Sequence, residues 1–311
     1  MKLDFAVGMG RNETGIEIGM YAKVAEECGF KYVTFVDQQN ISRDVYVMMT
    51  MAALNTRRIQ IGHGVTQPFT YHPSVTANAT STVNELSGGR TFLGIGAGGN
   101  ALRSMGMKPR PLREFREAVE FIKEYTAGNE AEIAGATMHS EWIKHPLRVY
   151  MAAAGPKSLQ MAGEIADGVV FTSNADPVVA KWRVEQVQKG AMKAGRDPAK
   201  IDIWARGMMY IADDREEAMR EVAGYAVNSA RGICELLSQK GPDIEDLRKR
   251  LEKERPGLID DCVRVVEVFT EDQHEKLDTP SSGRVTQNII EAQHLAGKPQ
   301  DICEKLQALA E

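Results

Sequence analysis

The chain has 311 residues, 43% of them hydrophobic, enough for one large α/β domain or two smaller ones. Its 38 Lys and Arg against 43 acidic residues leave a net charge of −5, so no basic field exists to hold a nucleic acid backbone. Cys28, Cys234, Cys262 and Cys303 form no CxxC pair and no run of about 20 apolar residues occurs, so a zinc site, a disulfide framework and a membrane span are not expected.

The opening MKLDFAVGMGRNETG meets charge and glycine too early for a secretory leader, and the protein reads as soluble and cytoplasmic. Short runs rich in Val, Ile and Phe then alternate with stretches of helical spacing. The strand candidates are 3–9, 31–37, 59–66, 90–98, 148–155, 167–173 and 201–212. The helix candidates between them are 15–28, 43–56, 73–86, 112–127, 157–166, 176–194 and 214–238. Strands alternating with helices imply a parallel sheet covered by crossovers. With an eighth strand drawn from 284–297 and a last helix over 299–310, the pattern predicts an α/β fold, a TIM (β/α)8 barrel with insertions, as a single domain over 1–311. The charged, helical stretch at about 240–282 reads as an insertion before the closing strand, and 128–146 is the other candidate.

The third strand, IQIGHGVTQP, carries Gly62 and Gly64 in its interior, where glycine marks a bulge, a bend or the close approach of a ligand or another backbone. Asp37 ends the second strand and points to the face where barrel sites assemble, or equally caps the turn that follows. After the fourth strand, GIGAGG has the GxGxxG spacing. It lies on the fourth βα unit, however, and Pro109 and Pro111 leave no room for a long helix, so a Rossmann fingerprint is not read. What survives is that glycines at a strand end let something flat or phosphorylated approach. In AAAGPKSLQ the backbone N–H groups of Lys157 and Ser158 stand at a helix start that favours an anion, a phosphate being the natural guest. A plain Gly-Pro turn explains the same residues as well.

His63 and His72 have no metal-ligand neighbour at i+3 or i+4, so no metal is expected, and Met48, Met49, Met51, Met208 and Met209 read as core or pocket wall. Neither a GxSxG nor a P-loop spacing is present. The strand ends at 62–66, 94–99, 152–156 and 171–173 together make room for a large, planar, phosphorylated cofactor.

The stretches RDVYVMMTMAALNTRRIQIGHGVTQPFTYHPSVTANATSTVNELSGGRTFLGIGAGG and VYMAAAGPKSLQMAGEIADGVVF, with an echo in HLAGKPQDICEKL, resemble the luciferase-like oxidoreductases. In particular they resemble the branch that uses coenzyme F420 and includes methylenetetrahydromethanopterin reductase. This resemblance implies hydride transfer between F420 and a small organic substrate, with a pterin- or folate-type one-carbon carrier as a candidate. FMN is the alternative cofactor, in a monooxygenase, and a non-catalytic barrel with a binding role is the third reading. It implies a bulge with a non-proline cis peptide at Gly64-Val65, continuing to Thr66, against the back of the ring. By the same matching, Asp37 lies beside the ring, Gly96, Ala97, Gly98, Gly99 and Asn100 form the loop after the fourth strand, and Gly155, Pro156, Lys157 and Ser158 take the phosphate. Thr172 and Ser173 line the pocket, and a homodimer or higher homo-oligomer is expected. Where the branch commonly has His after that Asp, this chain has Gln38, and where it has an acid after the glycine loop, this chain has Gly99 and Asn100. No catalytic side chain is therefore assigned; protonation of a substrate through those positions is not expected, and hydride transfer to an iminium-like carbon, which needs less acid help at the acceptor, stays among the readings.

Overall fold

The computed structural model describes residues 3–10, 12–108, 110–171, 176–270 and 278–310. Seven parallel strands, β1 (Ala6–Met9), β2 (Tyr32–Phe35), β3 (Gln60–His63), β4 (Thr91–Ile95), β7 (Arg148–Ala153), β8 (Gly168–Phe171) and β9 (Asp202–Ala205), pair in that order in one curled sheet. Between β4 and β7, β5 (Ala131–Ile133) and β6 (Ala136–Met138) form an antiparallel hairpin in the shorter insertion. The helices of the successive units are α1 (Gly15–Glu27), α2 (Val45–Asn55), α3 (Pro73–Leu86), α4 (Gly99–Ser104), α5 (Leu112–Thr126), α6 (Pro156–Ile165), α7 (Pro177–Lys193) and α8 (Arg215–Leu237). Their starts are written locally. Thr14 and Glu17 close a capping box on α1, and Asp44, Asp176 and Asp214 accept backbone N–H bonds at the starts of α2, α7 and α8.

Two expected elements differ in detail. The run 201–212 is broken, because β9 pairs with β8 whereas β10 (Met209–Ile211) pairs with β11 (Leu295–Gly297), and Arg206, Gly207 and Met208 make the change of partner. The stretch 284–297 is mostly helix. Thr286 caps α11 (Gln287–Gln293), whose buried Ile289, Ile290, Ala292 and Gln293 recur at helical spacing, so only three residues remain for the closing strand. The last helix, α12 (Pro299–Ala310), follows as expected. All eight strand positions of a (β/α)8 barrel are thus present. Among the described residues no ladder joins β11 to β1, and an apolar recess of about 340 Å³ lined by Phe5, Phe30, Met209, Ile211, Ile302 and Leu306 lies at that seam.

The outward side chains of the strands pack under the helices. Val33, Phe35 and Ile61 meet Ile18, Met48 and Met49, and Leu93, Val149, Met151 and Phe171 meet Phe115, Val119, Trp182 and Ile233. Each such fully buried side chain contributes roughly 1.5–3 kcal/mol. In the charged stretch, α9 (Pro242–Glu254) and α10 (Leu258–Val266) bury Leu247, Leu251, Leu258 and Cys262 in the same core. Among the described residues, no helix is long and apolar enough to cross a membrane.

Candidate functional site at the barrel mouth

The inward faces of the strands form layers. The lower layer is aromatic: Tyr32, Phe92, Tyr150 and Trp204 close on one another with ring centroids 4.5 Å (Tyr32–Trp204), 4.9 Å (Tyr150–Trp204) and 5.3 Å (Phe92–Trp204) apart, beside Val170. Side chains alternate along a strand, so the next inward position is two residues further on. There stand Thr34, Gly94, Ala152 and Arg206. Three of these are small, which opens the mouth above the aromatic floor.

The glycines of β3 and β4 are explained by protein neighbours. A Cβ on Gly62 would lie 2.3 Å from the Phe92 ring, one on Gly64 would lie 2.7 Å from the Thr34 side chain, and one on Gly94 would lie 2.0 Å from the His63 carbonyl oxygen. Close approach is therefore confirmed at all three, but the approaching groups are a core ring, a hydroxyl side chain and a backbone. An isoleucine at Gly64 would strike Thr34 and cost folding as well as any ligand. Gly96 differs, since its Cβ would meet Val65 at 3.2 Å and Ala152 at 3.3 Å, with the loop beyond it exposed.

The chain leaves β3 through a cis peptide at Gly64-Val65. Gly64 N–H donates to the Phe35 carbonyl at 2.7 Å, Thr66 N–H to the Gly94 carbonyl at 2.9 Å, and Gly96 N–H to the Thr66 carbonyl at 2.8 Å, so the bulge is stitched to both neighbouring strands. Asp37 is buried beneath it. Its carboxylate accepts from the Thr66 hydroxyl at 2.5 Å and from Gln39 Nε2 at 2.9 Å. Burial raises the Asp37 pKa above the ordinary carboxylate value, opposed by the bonds from Thr66 and Gln39. Asp37 thus acts on the mouth through Thr66. At Gln38 the backbone, rather than the side chain, organises the loop: its N–H donates to Ser42 Oγ at 3.1 Å.

Beyond β4, Ala97 and Gly99 are exposed, Gly98 takes a left-handed φ of 86° as the start of α4, and Asn100 lies in that short helix. At the far side of the mouth, Gly155 precedes α6 and no side chain caps the helix start. Pro156 has no N–H to leave open, the Ser158 hydroxyl donates to the Gly155 carbonyl at 2.9 Å, and Lys157 is exposed. The N–H groups of Lys157 and Ser158 therefore face outward at the positive end of the helix. Thr172 and Ser173 lie outside the described residues.

Two residues not anticipated from the sequence join this mouth. Gln239, after α8, brings its side-chain oxygen and nitrogen to 2.9 and 3.0 Å from where a Cβ on Gly155 would sit. Arg206 Nη1 donates to the Gly64 carbonyl at 3.0 Å, although 142 residues separate the two. Nothing local flags Gln239. Arg206 carried a signal, a cation two residues after Trp204 in a run that is otherwise uncharged after Asp202. The two histidines are structural: His63 is fully buried against Tyr46, and His72 caps α3.

A model of the family described as luciferase-like monooxygenase matches residues 5–311. A 5,10-methylenetetrahydromethanopterin reductase of Archaeoglobus fulgidus is 34% identical over 304 residues, covering 94% of this chain and 86% of the relative. The enzyme of the same name from Methanolobus tindarius is 30% identical over 314 residues, covering 99% and 90%. Among solved structures, the coenzyme F420 dependent tetrahydromethanopterin reductase from Methanopyrus kandleri superposes with a TM-score of 0.77 at 25% identity, over 100% of this chain and 90% of that one.

Proposed function

Because the chain belongs to the luciferase-like monooxygenase family, we propose that it is a coenzyme F420-dependent oxidoreductase that moves a hydride between the deazaflavin and a pterin- or folate-type one-carbon carrier. The observation that carries this reading is the near-full-length likeness to reductases named for that reaction. The mouth suits the cofactor, since small residues above an aromatic floor leave space for a flat ring and the uncapped start of α6 offers N–H groups to a phosphate.

Bound there, the deazaflavin supplies the hydride chemistry. Gly64, Val65 and Thr66 back the ring, with Asp37 fixing the Thr66 hydroxyl from below. Gly96, Ala97, Gly98, Gly99 and Asn100 shape one edge, and Gly155, Pro156, Lys157 and Ser158 hold the phosphate. The contribution of the chain is orientation and the exclusion of water, because hydride transfer to an iminium-like carbon requires no acid at Gln38 or Asn100. We read the assembly as a homodimer. α1 exposes Ile16, Met20 and Val24 at intervals of four, beside exposed Val47 and Leu54 of the neighbouring α2.

The test is titration of the stripped protein with F420 and with FMN, followed by fluorescence, then oxidation of reduced F420 in the presence of methylenetetrahydromethanopterin or methylenetetrahydrofolate. Saturable F420 binding and turnover with one of the two carriers are expected. Binding of FMN alone would overturn the assignment in favour of oxygen-dependent chemistry, and binding of neither would leave a barrel with a non-catalytic role.

A further inference from the structure

We propose that the wedge between β3, α2 and α3, directly behind the Gly64 bulge, is a binding site for internal water, and that Tyr46, Thr76 and His63 are positioning residues that hold this water against the back of the bulge. The hydration site stands on the geometry alone; only its effect on cofactor affinity rests on the F420 reading above.

In the wedge, buried polar atoms meet without bonding. His63 ends β3 facing outward, since Gly62 before it faces the Phe92 ring inside the barrel. Its imidazole meets the Tyr46 ring edge-on, with the centroids 5.4 Å apart. Tyr46 comes from the first turn of α2, and the fully buried Thr76 from the first turn of α3, beside the Tyr46 hydroxyl. Tyr46 Oη, Thr76 Oγ1 and both ring nitrogens of His63 are buried, and none of them closes a hydrogen bond. The Phe92 backbone lies beside the imidazole without bonding to it. Gln39 Oε1 is a fifth such atom, on a side chain whose Nε2 is bound to Asp37.

Thr76 marks the site most sharply. Thr50, Thr80, Thr82 and Thr126 each turn the hydroxyl back onto the carbonyl four residues earlier, at 2.8, 2.7, 2.9 and 2.7 Å. Thr76 leaves the His72 carbonyl to the N–H groups of Val75 and Thr76 and keeps its hydroxyl in the wedge. A buried polar atom without a partner is costly, so side chains from three elements that all forgo internal bonds share a guest. The guest must donate to one imidazole nitrogen, accept from the other, and exchange bonds with two hydroxyls. It need carry no charge, because the nearest carboxylates are already bound: Asp37 accepts from Thr66 and Gln39, and Asp44 caps α2 through the Val47 N–H. Water, which donates twice and accepts twice, meets these needs.

Its use is mechanical. His63 immediately precedes Gly64, so water that joins His63 to α2 and α3 fixes the bulge from outside, as Asp37 fixes it through Thr66 from below. A water-bridged bond is nearly as favourable as a direct one.

The test is a high-resolution crystal structure of the full chain and of its Tyr46→Phe, Thr76→Val and Thr76→Ser variants, with near-UV circular dichroism as the fold control and the F420 dissociation constant of each measured by fluorescence. Density for water within hydrogen-bond distance of Tyr46 Oη, Thr76 Oγ1 and a His63 nitrogen is expected in the wild type and in Thr76→Ser. Tyr46→Phe and Thr76→Val should lose it, shift the backbone of 64–66 and weaken F420 about threefold or more, while Thr76→Ser keeps all three readings. A wild type without that density, or with these side chains bonded directly to one another, overturns the hydration site. Density lost in the variants with the bulge unmoved overturns the positioning role. Ordered water and a bulge that shifts in the variants, in a protein that binds no F420, would sink the F420 reading and leave the water site standing.

Discussion

Acid should destabilise this protein through two buried histidines. His63 is 1% exposed and His294 is 2% exposed. Burial holds the His63 imidazole down to about 3 and, with the charge of Lys305 adding to it, His294 down to about 4, against the ordinary 6.5. The folded protein thus keeps both rings neutral where the unfolded chain takes up protons. Stability is therefore complete above pH 6.5 and is lost as the pH falls through 6.5 toward 4 and 3. Between pH 7.5 and pH 5 the unfolded state gains about 1.5 log units of proton binding per ring, or about 2 kcal/mol each. The two rings sit on β3 and beside β11 and share no partner, so the losses add to about 4 kcal/mol. Asp37 runs the other way. Its raised folded value removes stability as the pH rises above 3.8, so variants isolate the histidines better than the raw profile does. Urea unfolding at pH 7.5 and 5, repeated for His63→Gln, for His294→Gln (which can keep the bond to Ser229) and for the double variant, measures each share. Each single variant should remove about 2 kcal/mol of the pH dependence. A double variant with the wild-type profile would refute the reasoning.

Gly94→Ala should abolish folding, because its Cβ would sit 2.0 Å from the His63 carbonyl oxygen, whereas Gly96→Ala, at 3.2 Å from Val65, should fold at a cost of about 1 kcal/mol and lose F420 affinity. Thermal melts and the fluorescence titration check both, and the opposite order would sink the layered reading of the mouth. The dimer should sediment at twice the 34.3 kDa chain mass and Ile16→Asp with Met20→Asp should release monomers, while a wild-type monomer throughout the micromolar range would remove the proposal.

Much of the fold was legible because its signals are local. The expected helices 73–86 and 299–310 match α3 and α12 end to end, the first being set by Pro73 at the start and the second by Pro299. The failures lie where a strand answers to two partners at once. No pattern within IDIWARGMMYIA shows that Asp202–Ala205 pairs backward to β8 while Met209–Ile211 pairs forward to a strand more than 80 residues away. The expectation of a strand over 284–297 fails at Ile289 and Gln293 because a short apolar run has no period of its own. The Thr286 cap was the local mark that decided for helix.

The candidate site was legible in a narrower sense. Glycine at Gly62, Gly64 and Gly94 does signal crowding, but a sequence does not say what crowds, and here it is Phe92, Thr34 and the His63 carbonyl. The room for a ligand has another source, the small inward residues one layer above a ring of aromatics. That layering follows from parity alone: adding two to Tyr32, Phe92, Tyr150 and Trp204 gives Thr34, Gly94, Ala152 and Arg206. Once the lower layer is known, Arg206 stands out as the large cation among the described residues of the upper layer, and its bond to Gly64 ties the wall least resolved by pattern to the wall best resolved by it. The mouth is therefore held by a contact between distant strands, so substitutions at Arg206 should be felt at the bulge of β3 before they are felt in β9.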